Sequence, residues 1–186
     1  MKKLLIISFL FCLTATAAAQ RTANGERLAY GELNWTISSV GVGAGMGLYT
    51  VYGYWFGELT FNNRLERDAY SLEEVYYPRL CVAGGYMYRI LNDHRRTINF
   101  YGGGDAFLGL EFLDLYHSLS SPVREGLLVN GYKEMPLVYG FSPRAELEWF
   151  ALPYVAVILN IRFPVSFGSK FPGLGMEIGL GAKYNF

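Results

Sequence analysis

The chain has 186 residues with 16 basic and 16 acidic side chains, 52% hydrophobic and 17% aromatic residues, 22 glycines, two cysteines and two histidines. That length fits one domain, alone or behind a targeting segment. No basic run provides a nucleic-acid footprint, and His94 and His117 lie far apart in sequence and leave no recognisable zinc spacing.

The first residues read MKKLLIISFLFCLTATAAAQ. Lys2 and Lys3 precede an apolar run and then Ala17, Ala18 and Ala19, the order of a secretory signal peptide, with an apolar core too short to span a membrane. Cleavage is expected after Ala19, giving a signal peptide over 1–19 and one β-barrel domain over 20–186. Phe11 before Cys12 is too large for a lipoprotein signal. The mature chain keeps 14 basic against 16 acidic side chains, a formal charge of −2, and Cys81 as its one thiol, so it has no internal disulfide. No later segment is apolar enough for a membrane helix, because Glu, Arg, Gly or Pro interrupts each one.

From residue 28 onward the chain alternates with a period of two, the mark of strands whose faces meet different media. Residues 28–37 set Leu33, Trp35 and Ile37 against Tyr30, Glu32 and Asn34. Residues 41–51 set Val42, Ala44, Met46 and Leu48 against Gly41, Gly43, Gly45 and Gly47. In 54–62, Trp55, Leu59 and Phe61 oppose Glu58 and Thr60; in 75–90, Leu80, Val82, Tyr86, Tyr88 and Ile90 oppose Arg79, Cys81, Gly85 and Arg89. In 97–113, Ile98, Phe100, Leu108 and Leu110 oppose Asn99, Tyr101, Asp105 and Glu111. Segment 137–150 sets Leu137, Tyr139, Phe141, Leu147 and Trp149 against Arg144, Glu146 and Glu148, and 154–167 sets Val155, Val157, Leu159, Ile161 and Phe163 against Asn160 and Arg162. The last run, 173–186, has every even residue apolar or aromatic, while Gly, Glu177, Lys183 and Asn185 take the odd positions. Eight strands are predicted.

With each register fixed by its apolar residues, the charges are free to fall on either face. Glu32, Glu58, Arg79, Arg89, Asp105, Glu111, Arg144, Glu146, Glu148, Arg162, Glu177 and Lys183 all fall on the polar one. A lipid-facing Arg or Lys near the bilayer middle costs roughly 2–4 kcal/mol, so a membrane barrel excludes charge from its outer face. Gly, Glu and Arg cannot by themselves make a soluble core. The fold class read here is therefore all-β, an eight-stranded antiparallel up-and-down transmembrane β-barrel, closed because an open edge in hydrocarbon strands backbone polar groups. Eight strands enclose only enough room for side chains. The polar set is read as a structural ion-pair network filling the lumen, with no open pore.

Short links near 52–53, 92–96 and 151–153 are assigned to the periplasmic side, and longer ones at 63–74 and 115–136 to the outside. Within the second, 126–132 has the pattern of a short hairpin. Pro143 sits mid-strand at the cost of a ladder hydrogen bond, yet the alternation continues unbroken past it. His117, with Ser118, Ser120, Ser121, Glu111 and Asp114, is the one cluster with the residue types of a lipid-modifying hydrolase; neighbours on a loop have no spacing that enforces a triad, and a polar loop is the reading adopted. His94 reads as a solvated turn residue. No catalytic residue, metal or cofactor is expected.

The end of the chain, Gly181-Ala182-Lys183-Tyr184-Asn185-Phe186, resembles the C-terminal signal read by the outer-membrane insertion machinery, with Gly181, Tyr184 and Phe186 as its marks. A wider resemblance runs through Val138-Tyr139-Gly140, Glu146-Leu147-Glu148, Leu159-Asn160-Ile161-Arg162, Gly168-Ser169 and Gly179-Leu180-Gly181-Ala182-Lys183, with Phe56-Gly57-Glu58 and Ala83-Gly84-Gly85-Tyr86 upstream. In these the chain resembles TraO, a family encoded by conjugative transposons of Bacteroides-type bacteria. It differs in having Leu152-Pro153 where the family tends to a polar turn and Phe167 where it tends to Trp. The resemblance implies an outer-membrane component of a conjugative mating apparatus, a structural and interaction role with no enzymatic activity. Its expected partners are outer-membrane lipid, the insertion machinery and other transfer proteins, with no direct contact to nucleic acid. The other readings are a generic small barrel, acting as adhesin or envelope stabiliser, and a lipid-modifying enzyme.

Overall fold

The computed structural model describes residues 24–36, 39–67, 74–93, 97–112, 135–169 and 175–186, with side chains at 64–67 and 74–76 left aside. The strands are β1 Arg27–Trp35, β2 Ser39–Tyr49, β3 Gly53–Arg67, β4 Glu74–Asn92, β5 Ile98–Glu111, β6 Leu137–Phe150, β7 Val155–Arg162, β8 Val165–Phe167 and β9 Glu177–Asn185. Sequential neighbours from β1 to β7 pair antiparallel, with β5–β6 among them, and β9 closes the ring between β7 and β1. Both β7 and β8 lie on the same edge of β6, so they are two pieces of one stave. The result is a closed eight-stranded antiparallel barrel. No helix among the described residues is long and apolar enough to cross a membrane.

Alternation sets the two faces. In β1 Leu28, Tyr30, Glu32 and Asn34 are buried in the lumen while Leu33 and Trp35 look outward, and β6 repeats this with Arg144, Glu146 and Glu148 inside and Tyr139, Phe141, Leu147 and Trp149 outside. At one end Tyr52, Trp55, Tyr88, Trp149, Tyr184 and Phe186 form an outward aromatic belt; at the other stand Trp35, Phe61, Tyr139 and Phe167. Trp149 and Tyr139, on one strand, span roughly 25 Å once the usual strand tilt is allowed for, the height of the apolar band of outer-membrane barrels.

The wall differs from the sequence expectation in four places. Strand β3 continues to Arg67 and β4 begins at Glu74, so half of the predicted 63–74 connection is strand, with pairs running out to Arg67↔Glu74; beyond the apolar band a strand needs no alternating apolar face, which hid its extension. A bulge falls between Arg89 and Leu91, leaving Ile90 and Leu91 both exposed. The chain between Tyr154 and Phe167 is broken at Phe163-Pro164, and the last strand starts at Glu177, with Gly175 and Met176 outside it.

The broken stave also accounts for Pro143. The pairs Arg144↔Arg162 and Phe141↔Val165 share one register, which sets Pro143 opposite Phe163. Phe163 N–H donates to the Pro143 carbonyl at 3.0 Å, and only the reciprocal bond is lost because proline has no donor. No residue is inserted, so parity survives. Pro143 turns its ring outward, and Pro164 lies buried against the lumen.

Candidate functional site

The lumen is the candidate site, and small residues make its geometry possible. A Cβ on Gly45 would lie 2.4 Å from the Tyr30 ring, and one on Gly43 would lie 3.0 Å from Glu32 Cγ. The glycine strand β2 thus lets the β1 side chains lie flat over the wall and reach sideways into the lumen.

Toward the end away from the termini, Arg162 and Arg144 face each other as direct partners on β7 and β6. Like charges in that position repel, and four carboxylates surround them. Arg162 Nη2 meets Glu32 Oε1 at 2.8 Å, its Nη1 meets Glu58 Oε1 at 3.0 Å, and its Nε stands 3.0 Å from Glu177 Oε2. Arg144 Nη1 lies 2.8 Å from Glu58 Oε2 and its Nε 2.9 Å from Asp105 Oδ2. The two Nε contacts are ion pairs lying off the N–H direction. Tyr30 donates its hydroxyl proton to Glu58 Oε2 at 2.7 Å, and the Asn160 amide donates to Glu32. Nearer the rim, Arg79 pairs with Glu111, whose other oxygen accepts from Ser169 at 2.8 Å.

A second cluster sits toward the termini. Lys183 Nζ lies 2.6 Å from Glu146 Oε1 and 3.1 Å from Glu148 Oε1, and 4.2 Å from the centre of the Tyr54 ring. Glu148 also accepts from Tyr49 at 2.7 Å, Asn99 at 2.9 Å and Tyr101 at 3.0 Å. Arg89 stands 5.7 Å from the Tyr101 ring centre. Around this polar centre Leu28, Tyr49, Tyr54, Phe56, Met87, Tyr101 and Ile158 form a buried apolar cluster. Cations against ring faces and carboxylates with three or more donors are the arrangements that make burial of charge tolerable.

Of the twelve charged residues singled out in the sequence, eleven are buried and Arg89 is half-buried, all on the inward face. Tyr30 and Tyr101 were read on the polar face, and the rest of the tyrosine and apolar component was missed. Tyr49 keeps step with Gly41 to Gly47, and Tyr54 and Phe56 with Glu58, so parity alone assigns them inward. Gly181 packs against the backbone of β1, where a Cβ would lie 2.3 Å from the Gly31 carbonyl. Tyr184 and Phe186 stack outside with ring centres 6.1 Å apart, and Phe186 exchanges two backbone hydrogen bonds with Arg27 at 2.9 and 3.0 Å. His94, His117, its serines, Asp114 and the hairpin expected over 126–132 lie outside the described residues. Cys81 is a buried thiol outside any disulfide. Among the described residues no three His, Cys, Asp or Glu side chains could together hold a metal ion. The open space in the outer half, lined by Thr60, Asn62, Arg79, Asp105, Ser142 and Arg162 among others, is about 20 Å³, room for one water molecule.

Sequence comparison decides the family. Residues 29–186 match the family described as conjugative transposon protein TraO. The chain belongs to the TraO family. That match takes in every lumenal charge of this TraO chain, from Glu32 to Lys183. No curated protein matches it in sequence.

Solved structures similar to this TraO protein are outer-membrane barrels. Neisserial surface protein A, NspA, has a TM-score of 0.57 at 11% identity, covering 88% of this chain and 96% of its own. The N-terminal β-barrel domain of Pseudomonas aeruginosa OprF gives 0.51 at 8% identity, with 89% and 100% covered. Ail, the attachment invasion locus protein of Yersinia pestis, in complex with the heparin analogue sucrose octasulfate, gives 0.50 at 16% identity, with 88% and 100% covered. At such identities the likeness is one of fold.

Proposed function

We propose that this TraO protein is an outer-membrane β-barrel component of a conjugative transfer apparatus, with a structural and interaction role and no open pore. The observation that carries this reading is the family match over 29–186. It is supported by an apolar exterior with two aromatic belts, which suits a barrel seated in the outer membrane. A lumen occupied by paired charges and edge-to-face tyrosines serves rigidity, where transport would need space.

In this reading residues 1–19 are the export signal, removed after Ala19, and Gly181, Tyr184 and Phe186 address the chain to the insertion machinery. The twelve lumenal charges hold the wall in one shape. Lipid surrounds the barrel, and other transfer proteins contact it beyond the belts. No cofactor, catalytic step or nucleic-acid contact enters.

The test is the transfer frequency of donor cells lacking the gene and of the same cells with it restored, with heat-modifiability followed in outer-membrane fractions. Loss and recovery of transfer support the reading. Unchanged transfer with an intact outer-membrane barrel overturns it, in favour of an adhesin or envelope stabiliser. The likeness to Ail, a protein named for attachment, makes that the second reading.

A further inference from the structure

The lumenal charges are distributed unevenly along the chain. Among the described side chains, β1, β2 and β3 contribute two carboxylates to the lumen, Glu32 and Glu58, and no cation. Among those same described side chains, the lumenal cations Arg79, Arg89, Arg144, Arg162 and Lys183 all come from β4 onward. Within that later part, Asp105, Glu111, Glu146, Glu148 and Glu177 already match the five cations one for one.

The two central arginines divide their contacts in the same way. Arg144 places Nε beside Asp105 of β5, and Arg162 places Nε beside Glu177 of β9, strands adjacent to their own. Arg144 Nη1 takes Glu58, and the two Nη atoms of Arg162 take Glu32 and Glu58, both carboxylates on strands across the β1–β9 seam. Asn160, on β7 beside Arg162, adds a donor to Glu32. Each guanidinium thus has an ion pair with its own half at the Nε edge and meets the N-terminal strands through Nη.

We propose that Arg144 and Arg162 are a closure latch: a receptor organised within the sheet β4 to β9 that draws in Glu32 and Glu58 as β1 docks on β9 and seals the barrel. The physical basis is that a guanidinium has donors on several edges, so a carboxylate held beside Nε leaves Nη donors for a second one. In a low-dielectric surrounding the attraction for an incoming carboxylate is long-ranged and strong. Closure also removes Glu32 and Glu58 from water, which is costly without those partners, so a barrel lacking the latch stalls with the seam unpaired. This goes beyond the transfer role and is independent of it.

The experiment uses one shared outward residue. Leu180 pairs with Leu33 across the β1–β9 seam and with Leu159 across β7–β9. In a Cys81→Ser background, L33C/L180C reports seam closure and L159C/L180C reports the C-terminal sheet. The chain is refolded from urea into phosphatidylcholine vesicles, with oxidation sampled over time. The expected result is that the β7–β9 link forms first. Arg162→Gln slows the seam link by about tenfold, at the low end of electrostatic steering effects, and leaves the β7–β9 link unchanged. Glu32→Gln with Glu58→Gln, which also strips Arg144 of Glu58, slows the seam link more, and adding Arg162→Gln to that pair slows closure no further. Added salt slows seam closure in the parent and not in the Glu32→Gln/Glu58→Gln chain. Equal slowing of both links, slowing of neither, or a Glu32→Gln/Glu58→Gln chain that closes at the parental rate would overturn the latch.

Discussion

Arg162 Nη1 and Glu58 Oε1 lie 3.0 Å apart although β7 and β3 stand on opposite walls, separated by β9, β1 and β2 in one direction around the ring. Tyr49 of β2 and Glu148 of β6 make the corresponding cross-tie toward the termini, at 2.7 Å. Both contacts bridge the lumen directly, so each is a strut that resists flattening of the barrel. Removing one member leaves a charge buried without its partner. Glu58→Gln should lower stability by about 3–5 kcal/mol, and Tyr30→Phe, which costs Glu58 one neutral donor, by about 1–3 kcal/mol. Urea unfolding in detergent micelles measures both; a Glu58→Gln midpoint equal to the parent's would show that the strut contributes nothing net.

Glycine placement yields a paired prediction. Gly45 underlies the Tyr30 ring, with a Cβ contact of 2.4 Å, whereas Gly57 faces outward with nothing within 4 Å. Gly45→Ala should push Tyr30 from Glu58 and lower the unfolding midpoint clearly. Gly57→Ala should be neutral or slightly stabilising, since it removes backbone freedom without a clash. The two midpoints, compared in one preparation, check whether the glycines of β2 are spacers.

The outer face should reject charge. Leu159 and Ile178 are exposed, outward and between the belts. Leu159→Arg and Ile178→Arg should each cost about 2–4 kcal/mol and reduce the heat-modifiable fraction in outer membranes. Leu159→Ala should assemble normally. Full assembly of both arginine variants would contradict a lipid-facing surface.

The last residue closes the seam as well as ending the chain. Phe186 and Arg27 exchange two backbone hydrogen bonds, so deleting Phe186 removes both together with the ring stacked on Tyr184. We expect a several-fold drop in folded protein recovered from outer membranes. Phe186→Tyr should insert normally, because it keeps the backbone pairs and the aromatic ring; an equal loss in both would mean that neither is what matters.

Much of the fold was written in the chain. The period of two, with charge confined to one of its faces, determined the strand class, the sidedness and the eight staves, because a bilayer penalises each violation by itself, residue by residue. The same parity placed Glu58, Arg144 and Arg162 inward one at a time. Only the tertiary structure decided which of them meet. Partnership between Arg162 and Glu58 depends on the curvature and closure that set β7 opposite β3, and no local pattern records that distance. The continuation of β3 and β4 past the apolar band was equally silent, since strands held by backbone pairing beyond lipid need no alternation. Pro143 shows the division at one residue: its position was visible in the sequence, but its tolerance comes from Phe163, whose single donor faces its carbonyl across the ladder.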